Sequence, residues 1–304
     1  MKKLHFTRIH CLAVEGRMKL LSVSILVLMS FAGTAAYGGT YSPVQSLARP
    51  FGLDIVDRVQ LAGSDDRAAS FMQDALPDIE YVINQNLGER ESIPNVSGIA
   101  LDPADLVLQY DSNVRAYFVG EGAGYHNTLG FFTTDYDINE GITATDAQLI
   151  FPDASSSISY LDTGNTGGNR SLFAPLLVGD FVELGDLTAG TAINPFVVSN
   201  GAFGGTNVYT AFPEQNPDGI QHFISLAVTA FEDSPYLVIG IEDLHGGGDN
   251  DFNDLVFVLD IGRENVSHLV AAAVPLPPVF AALIGPGIAG VLYYRRREKS
   301  LHDG

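Results

Sequence analysis

Cysteine occurs once, at Cys11, and lysine is missing altogether between residues 37 and 273. Cys11 sits in a stretch that reads as a removable leader, so the mature chain has no disulfide and no thiol chemistry. Stability must then come from a packed core and from any bound metal. Basic charge is scarce as well. Of 16 basic residues nine lie outside 37–273; the seven that remain are all arginine and face 33 acidic residues, a net charge of −26. Such a surface repels nucleic-acid phosphates and anionic lipid heads, which excludes nucleic acid as a partner, and attracts divalent cations. Solubility, or adaptation to a salty medium, accounts for the bulk charge equally well. Catalytic signatures are also missing: there is no G-x-S-x-G elbow, no H-E-x-x-H helix and no Cys–His pair. With 46% hydrophobic and 10% aromatic residues, 304 residues suffice for one large core or two small ones.

Both ends read as addresses. In Met18–Ala36 a basic start (Arg17, Lys19) precedes an apolar run from Leu20 to Ala32. Thr34 and Ala36 fit the −3 and −1 positions of a signal peptidase, which makes 1–36 a signal peptide with Met18 as an alternative start. An uncleaved anchor is the other reading. At the far end Val274–Tyr294 runs 21 residues without a charge and is followed by Arg295, Arg296 and Arg297. That length crosses a bilayer core of about 30 Å, and the arginines hold the end in the cytoplasm. Val274, Pro275, Leu276, Pro277 and Pro278 stand at the outer mouth. The tail resembles the PEP-CTERM sorting signal in its VPLPA-CTERM variant, with Pro278 where the variant has Ala. The resemblance implies processing by an exosortase and display at the surface of a Gram-negative bacterium. A plain membrane anchor is the alternative.

Between the ends, 37–104 reads as an N-terminal extension with one short helix, Asp65–Leu76, stopped before Pro77. From 105 to 262 the pattern is short apolar or alternating runs punctuated by Gly, Asn, Asp and Pro. The candidate strands are Leu106–Tyr110, Arg115–Val119, Thr128–Phe132, Ala147–Phe151, Phe181–Leu184, Ile193–Val198, His222–Ala230, Tyr236–Ile241 and Leu255–Ile261. In His222–Ala230 the alternation suits a strand with one core face. Nine short strands with turn-rich connections predict an all-β fold, an antiparallel β-sandwich or jelly roll. Residues 263–273 read as a linker to the sorting segment 274–297.

The most pointed chemistry lies between two of these strands. Glu242, Asp243, Asp249, Asp251 and Asp254 supply five carboxylates, Asn250 and Asn253 two amides, and Gly246–Gly248 a turn. Left alone, such carboxylates repel one another. A hard cation with six to eight oxygen ligands at roughly 2.3–2.6 Å cancels that repulsion, so the expected cofactor is Ca2+ held by Glu242, Asp243, Asp249, Asp251, Asn253 and Asp254. Asp249, Asp251 and Asn253 match the start of an EF-hand loop, but Asp254 takes the glycine position, and a strand would carry Asp260 about 20 Å from Asp254. The expectation is a calcium loop between strands. Magnesium tolerates crowded cages poorly, and for zinc His245 is the loop's only nitrogen ligand. A solvated acidic hairpin without metal is the competing reading.

Glu242-Asp243, the run Gly247–Leu255, Phe118–Gly130, Leu177–Gly185 and Asp218–His222 occur in one order. Together they resemble domain of unknown function 4114, a family of bacterial surface and secreted proteins, over about 105 to 262. The resemblance implies fold and location far more than function, since the family carries no established catalytic activity. Within it, Gly120–Gly124 lacks phosphate-loop spacing and carries Glu121, the wrong charge. Tyr125, His126 and Asn127 fit either a turn or a sugar contact; His222 fits a structural role better than a catalytic one. The leading expectation is a non-enzymatic, calcium-binding surface protein, structural or adhesive, whose partners are the exosortase, the membrane and either extracellular polysaccharide or further copies of itself. The rival is a surface hydrolase of glycans or peptides, which requires His126 or His222 to meet a carboxylate in a cleft.

Overall fold

The computed structural model describes residues 44–88, 100–133, 142, 147–158, 168–228 and 234–273. The expected signal peptide, the sorting residues Val274, Pro275, Leu276, Pro277 and Pro278, and Arg295, Arg296 and Arg297 lie outside them, as does the stretch 89–98. Among the described residues no helix is long and apolar enough to cross a membrane.

The chain is mostly β, with few helices. Its strands are β1 (Ala100–Leu101), β2 (Ser112–Gly120), β3 (Thr128–Phe132), β4 (Ala147–Phe151), β5 (Phe181–Leu187), β6 (Asn194–Val198), β7 (Val208–Thr210), β8 (Phe223–Ala227), β9 (Tyr236–Ile241) and β10 (Leu255–Asp260). They form a six-stranded sheet ordered β1-β8-β9-β10-β2-β5 and a four-stranded sheet ordered β4-β3-β6-β7. Every pairing between them is antiparallel. Eight of the nine expected strands are present within a few residues.

Period-two alternation sends each strand's side chains to two environments. From the six-stranded sheet, Phe118, Val182, Ile239 and Phe257 enter a core shared with Leu129, Phe131, Ile150 and Val197 of the other sheet. The alternate residues Tyr117, Leu226, Val238 and Val258 enter a second core with Phe71, Ile79 and Ile83 from the N-terminal segment. Strand β8 therefore has two buried faces, where the sequence suggested one. A helix rather than water covers the Ile224 and Leu226 side.

That helix corrects the expected boundary at Pro77. It runs as α1 (Asp66–Ser70), a π-helical turn (Phe71–Ala75) and α2 (Leu76–Asn86). The π turn closes with Leu76 N–H bonded to the Phe71 carbonyl, and Pro77 falls at the start of α2, where it has no donor to lose. Asp65 caps α1 by accepting from Ala68 N–H at 2.7 Å. Phe71 stacks on Tyr117 with ring centroids 3.8 Å apart, which docks the helix on the sheet.

Two further expectations change. Residues 263–273 are an α-helix, α3 (Arg263–Ala273), not a linker, because Asn265 and Val266 are buried against the sheet. Asn265 also explains why Leu106–Tyr110 is not a strand. Its Oδ1 accepts from Gln109 N–H at 2.8 Å and Tyr110 N–H at 2.9 Å, taking the donors a neighbouring strand would have used. Only Val107 keeps an isolated bridge, to Ala192. The two strands missing from the sequence reading, β1 and β7, are two and three residues long, too short for alternation to register.

Candidate cation-binding loop

Residues 242–254 connect β9 to β10, adjacent strands in register from Leu255↔Ile241 to Asp260↔Tyr236. The strand pair fixes the loop's ends, and the sheet buries its base. Glu242, Asp243, Asp251 and Asn253 are buried, Asp254 is half-buried and Asp249 is exposed. Three carboxylates thus sit, with a fourth half-buried beside them, where only paired charge is ordinarily tolerated.

Backbone conformation turns them inward. Asn250 and Phe252 adopt the left-handed region at φ 60° and 56°, unusual for residues with a Cβ. Phe252 is held there because its ring belongs to the helix-side core. Its carbonyl would lie 2.5 Å from a Cβ at Gly240, so glycine at that strand position permits the loop's close approach. Gly248, at φ +45°, abuts Glu242: a methyl there would overlap Oε1 and lie 2.9 Å from Cδ. Gly248→Ala is therefore expected to cost about 1–2 kcal/mol from backbone conformation alone and to displace Glu242, lowering the melting midpoint.

Two trios of carboxylates offer oxygens within 4.8 Å of one another: Glu242 with Asp249 and Asp251, and Glu242 with Asp243 and Asp254. Glu242 belongs to both. Its Oε2 is buried with no hydrogen-bond partner, although Oε1 accepts from Leu244 N–H at 3.2 Å. Asn253 Nδ2 is likewise buried without a partner. Asp254 Oδ2 accepts from Asp243 N–H at 2.9 Å, and Asp251 Oδ1 from Asn253 N–H at 3.3 Å. Burial first, then the charge of Asp254, pushes Glu242 up to about 8. The same two causes push Asp243 up to about 7, with Asn127 opposing them through a hydrogen bond to Oδ2.

The cleft above the loop has a second wall, Gly122–Tyr125, opposite Asp249, Asp251 and Asp254. Gly122 N–H donates to the Asn253 carbonyl at 3.0 Å and joins the walls. The glycine-rich run that fails as a phosphate loop thus faces the acidic one. Sequence reading missed Glu121, Asn127 and Asp153 as neighbours of the site. Burial chiefly pushes Glu121 up to about 8, and Asp153 and Asp243 add to the rise. The signal available for Glu121 and Asn127 was their place in the Phe118–Gly130 run and its order with the acidic loop; Asp153 lies outside every such run.

Both histidines of the hydrolase reading do meet carboxylates. His222 is fully buried, stacks on Tyr209 at 3.8 Å, and places Nδ1 2.7 Å from the Glu242 carbonyl and Nε2 3.0 Å from Asp218 Oδ2. With both nitrogens engaged it locks the entry to the loop. Partial burial would raise the Asp218 carboxyl, yet donors at Gly246 N–H and His222 hold it below the ordinary range. At His126, Asp153 Oδ2 (3.3 Å) and Ser155 Oγ (3.0 Å) converge on one nitrogen, Nδ1. A nucleophilic relay needs the hydroxyl and the carboxylate on opposite nitrogens, so this is not a triad. His245 is 63% exposed and faces Asp218 at 3.6 Å, away from both trios, which leaves the loop an oxygen-donor site. Asp260, at the far end of β10, pairs with Arg67 at 2.8 Å.

Fold and site together define an antiparallel two-sheet β domain carrying a carboxylate-rich loop with a buried base between neighbouring strands. Residues 187–262, about a quarter of the chain, match the family described as Domain of unknown function (DUF4114). The match takes in β6–β10 and the whole acidic loop. No curated protein and no solved structure matches the chain.

Proposed function

We propose that the chain is an exported, non-enzymatic β-sandwich protein of jelly-roll type that binds Ca2+ in the 242–254 loop and serves a structural or adhesive role at the bacterial surface. The carrying observation is Glu242: a carboxylate with no exposed surface, one oxygen unpartnered, shared by two carboxylate trios. Burying such a group costs several kcal/mol unless a counter-charge is supplied, and the described neighbours supply carboxylates. A hard cation with oxygen ligands resolves that conflict. The ligands proposed are Glu242, Asp243, Asp249, Asp251, Asn253 and Asp254. Calcium fits better than magnesium, which demands near-octahedral geometry, and better than zinc, for which the loop has no inward nitrogen.

Export rests on the signal-peptide pattern of 1–36, and retention on 274–297 as a PEP-CTERM-like segment recognised by an exosortase. Extracellular polysaccharide is the partner the cleft favours. Tyr125, 42% exposed, stands beside the acidic loop, and Phe203 and Phe173 lie exposed nearby around His126. Aromatic faces beside a cation suit sugar rings and their hydroxyls. In the native bacterium, an antibody against the β domain is expected to label intact cells, and chelation of calcium to release the protein from the polysaccharide layer. Labelling only after lysis would remove the surface assignment.

A further inference from the structure

We propose that the 242–254 loop holds two divalent cations, not one, bridged by the Glu242 carboxylate. This rests on the calcium reading above and goes beyond it in number and arrangement. The five carboxylates do not converge as one set. They fall into two trios that share only Glu242, each with oxygens inside 4.8 Å. An ion with oxygens at roughly 2.3–2.6 Å has ligand atoms up to about 5 Å apart, so each trio matches one ion.

Charge points the same way. The five carboxylates carry −5. One divalent ion leaves −3 on a cluster of which three carboxylates are buried; two leave −1, a residue that N–H donors can offset. Single-ion occupancy would satisfy one trio and leave the rest repelling. A bridging role also suits Glu242 itself, whose Oε2 has no hydrogen-bond partner while the residue is fully buried. Asn253 provides an observation independent of the acids. It is 2% exposed, lines the same cleft, and has an unpartnered Nδ2. Turning its amide over brings a neutral oxygen ligand to that position.

The two positions differ in access. Glu242, Asp249 and Asp251 include the exposed Asp249, so the outer ion borders the cleft. Glu242, Asp243 and Asp254 include two buried groups, with Asn127 fixing Asp243, so the inner ion sits deeper, although Asp243 and Asp254 also line the cleft. The inner ion holds the loop to β9 and β10; the outer one, whose trio includes the exposed Asp249, exchanges more readily.

Native mass spectrometry of the full chain in detergent, stripped with chelator and titrated with calcium chloride alone, reads the stoichiometry. Two calcium ions per chain are expected. Asp249→Asn, at an exposed position, and Asp254→Asn, whose amide oxygen can still accept from Asp243 N–H, should each bind one. Glu242→Gln should weaken both steps at least tenfold while far-ultraviolet circular dichroism stays native. A single ion in the parent chain, or loss of all binding in both Asp variants, overturns the two-ion assignment and leaves the calcium reading standing. No calcium bound by the folded parent chain overturns both.

Discussion

Arg115→Ala is expected to lower stability by about 3 kcal/mol and the melting midpoint by roughly 6–12 °C, although Arg115 is far from the acidic loop. Its guanidinium, 4% exposed on β2, is the hub between the helix and the sheet. Nη2 meets Asp65 Oδ2 at 2.7 Å, Nε meets Glu183 Oε1 at 2.9 Å, and Nη1 donates to Tyr117 Oη at 3.1 Å. The guanidinium also lies 4.0 Å from the Phe181 ring centroid. Desolvation works against its charge, but hydrogen bonds to Asp65 and Glu183 outweigh it and raise the pKa. Removing one partner of such a network leaves the others uncompensated. Asp65 is 41% and Glu183 23% exposed, so water recovers part of the loss and places the effect at the low end for a buried pair. Lysine should not rescue it, because the planar fork is what reaches both acids. A denaturation midpoint within error of the parent would show that hydrophobic docking of Phe71 alone holds the helix.

Glu242→Gln should have opposite effects with and without calcium. In the metal-free chain the folded-state carboxyl is pushed up to about 8, above its unfolded value, so its protonated form favours the fold. Its contribution is fully present below the unfolded pKa and is lost as pH rises through about 8. The metal-free parent chain is therefore expected to soften between about pH 5 and pH 9. The neutral amide removes the titration, and Glu242→Gln should exceed the parent by on the order of 1–3 kcal/mol at pH 9 in chelator. With calcium present the order reverses, because binding needs the deprotonated carboxylate. Melting both proteins at pH 5, 7 and 9, with chelator and with millimolar calcium, checks this. A variant less stable than the parent in chelator at pH 9 would mean that the charge is already compensated without metal.

Much of this fold was legible because β-strands announce themselves by alternation. Thr128–Phe132, Ala147–Phe151 and Tyr236–Ile241 stand at the expected bounds. What escaped was decided by distant partners. Pro77 looked like a stop, and only the π turn before it lets the helix continue to Asn86. Leu106–Tyr110 had strand composition, yet Asn265, some 155 residues away, took its donors. Of the acidic loop, the crowding of carboxylates between two strands was readable, and the separation of Asp260 from them was too. The division into trios around Glu242, and the second wall from Gly122 to Tyr125, were not. They depend on the left-handed conformations of Asn250 and Phe252, which no local pattern encodes.

Everything functional depends on the buried carboxylates of the 242–254 loop needing a cation. Differential scanning calorimetry of the purified chain at pH 8, in chelator and in calcium at about a hundred times its dissociation constant, measures that need. A ligand binding only the folded state adds about 2.7 kcal/mol under those conditions, a rise of roughly 5–11 °C for a domain of this size, with magnesium giving a smaller shift. Superimposable transitions in chelator and in calcium would contradict the account.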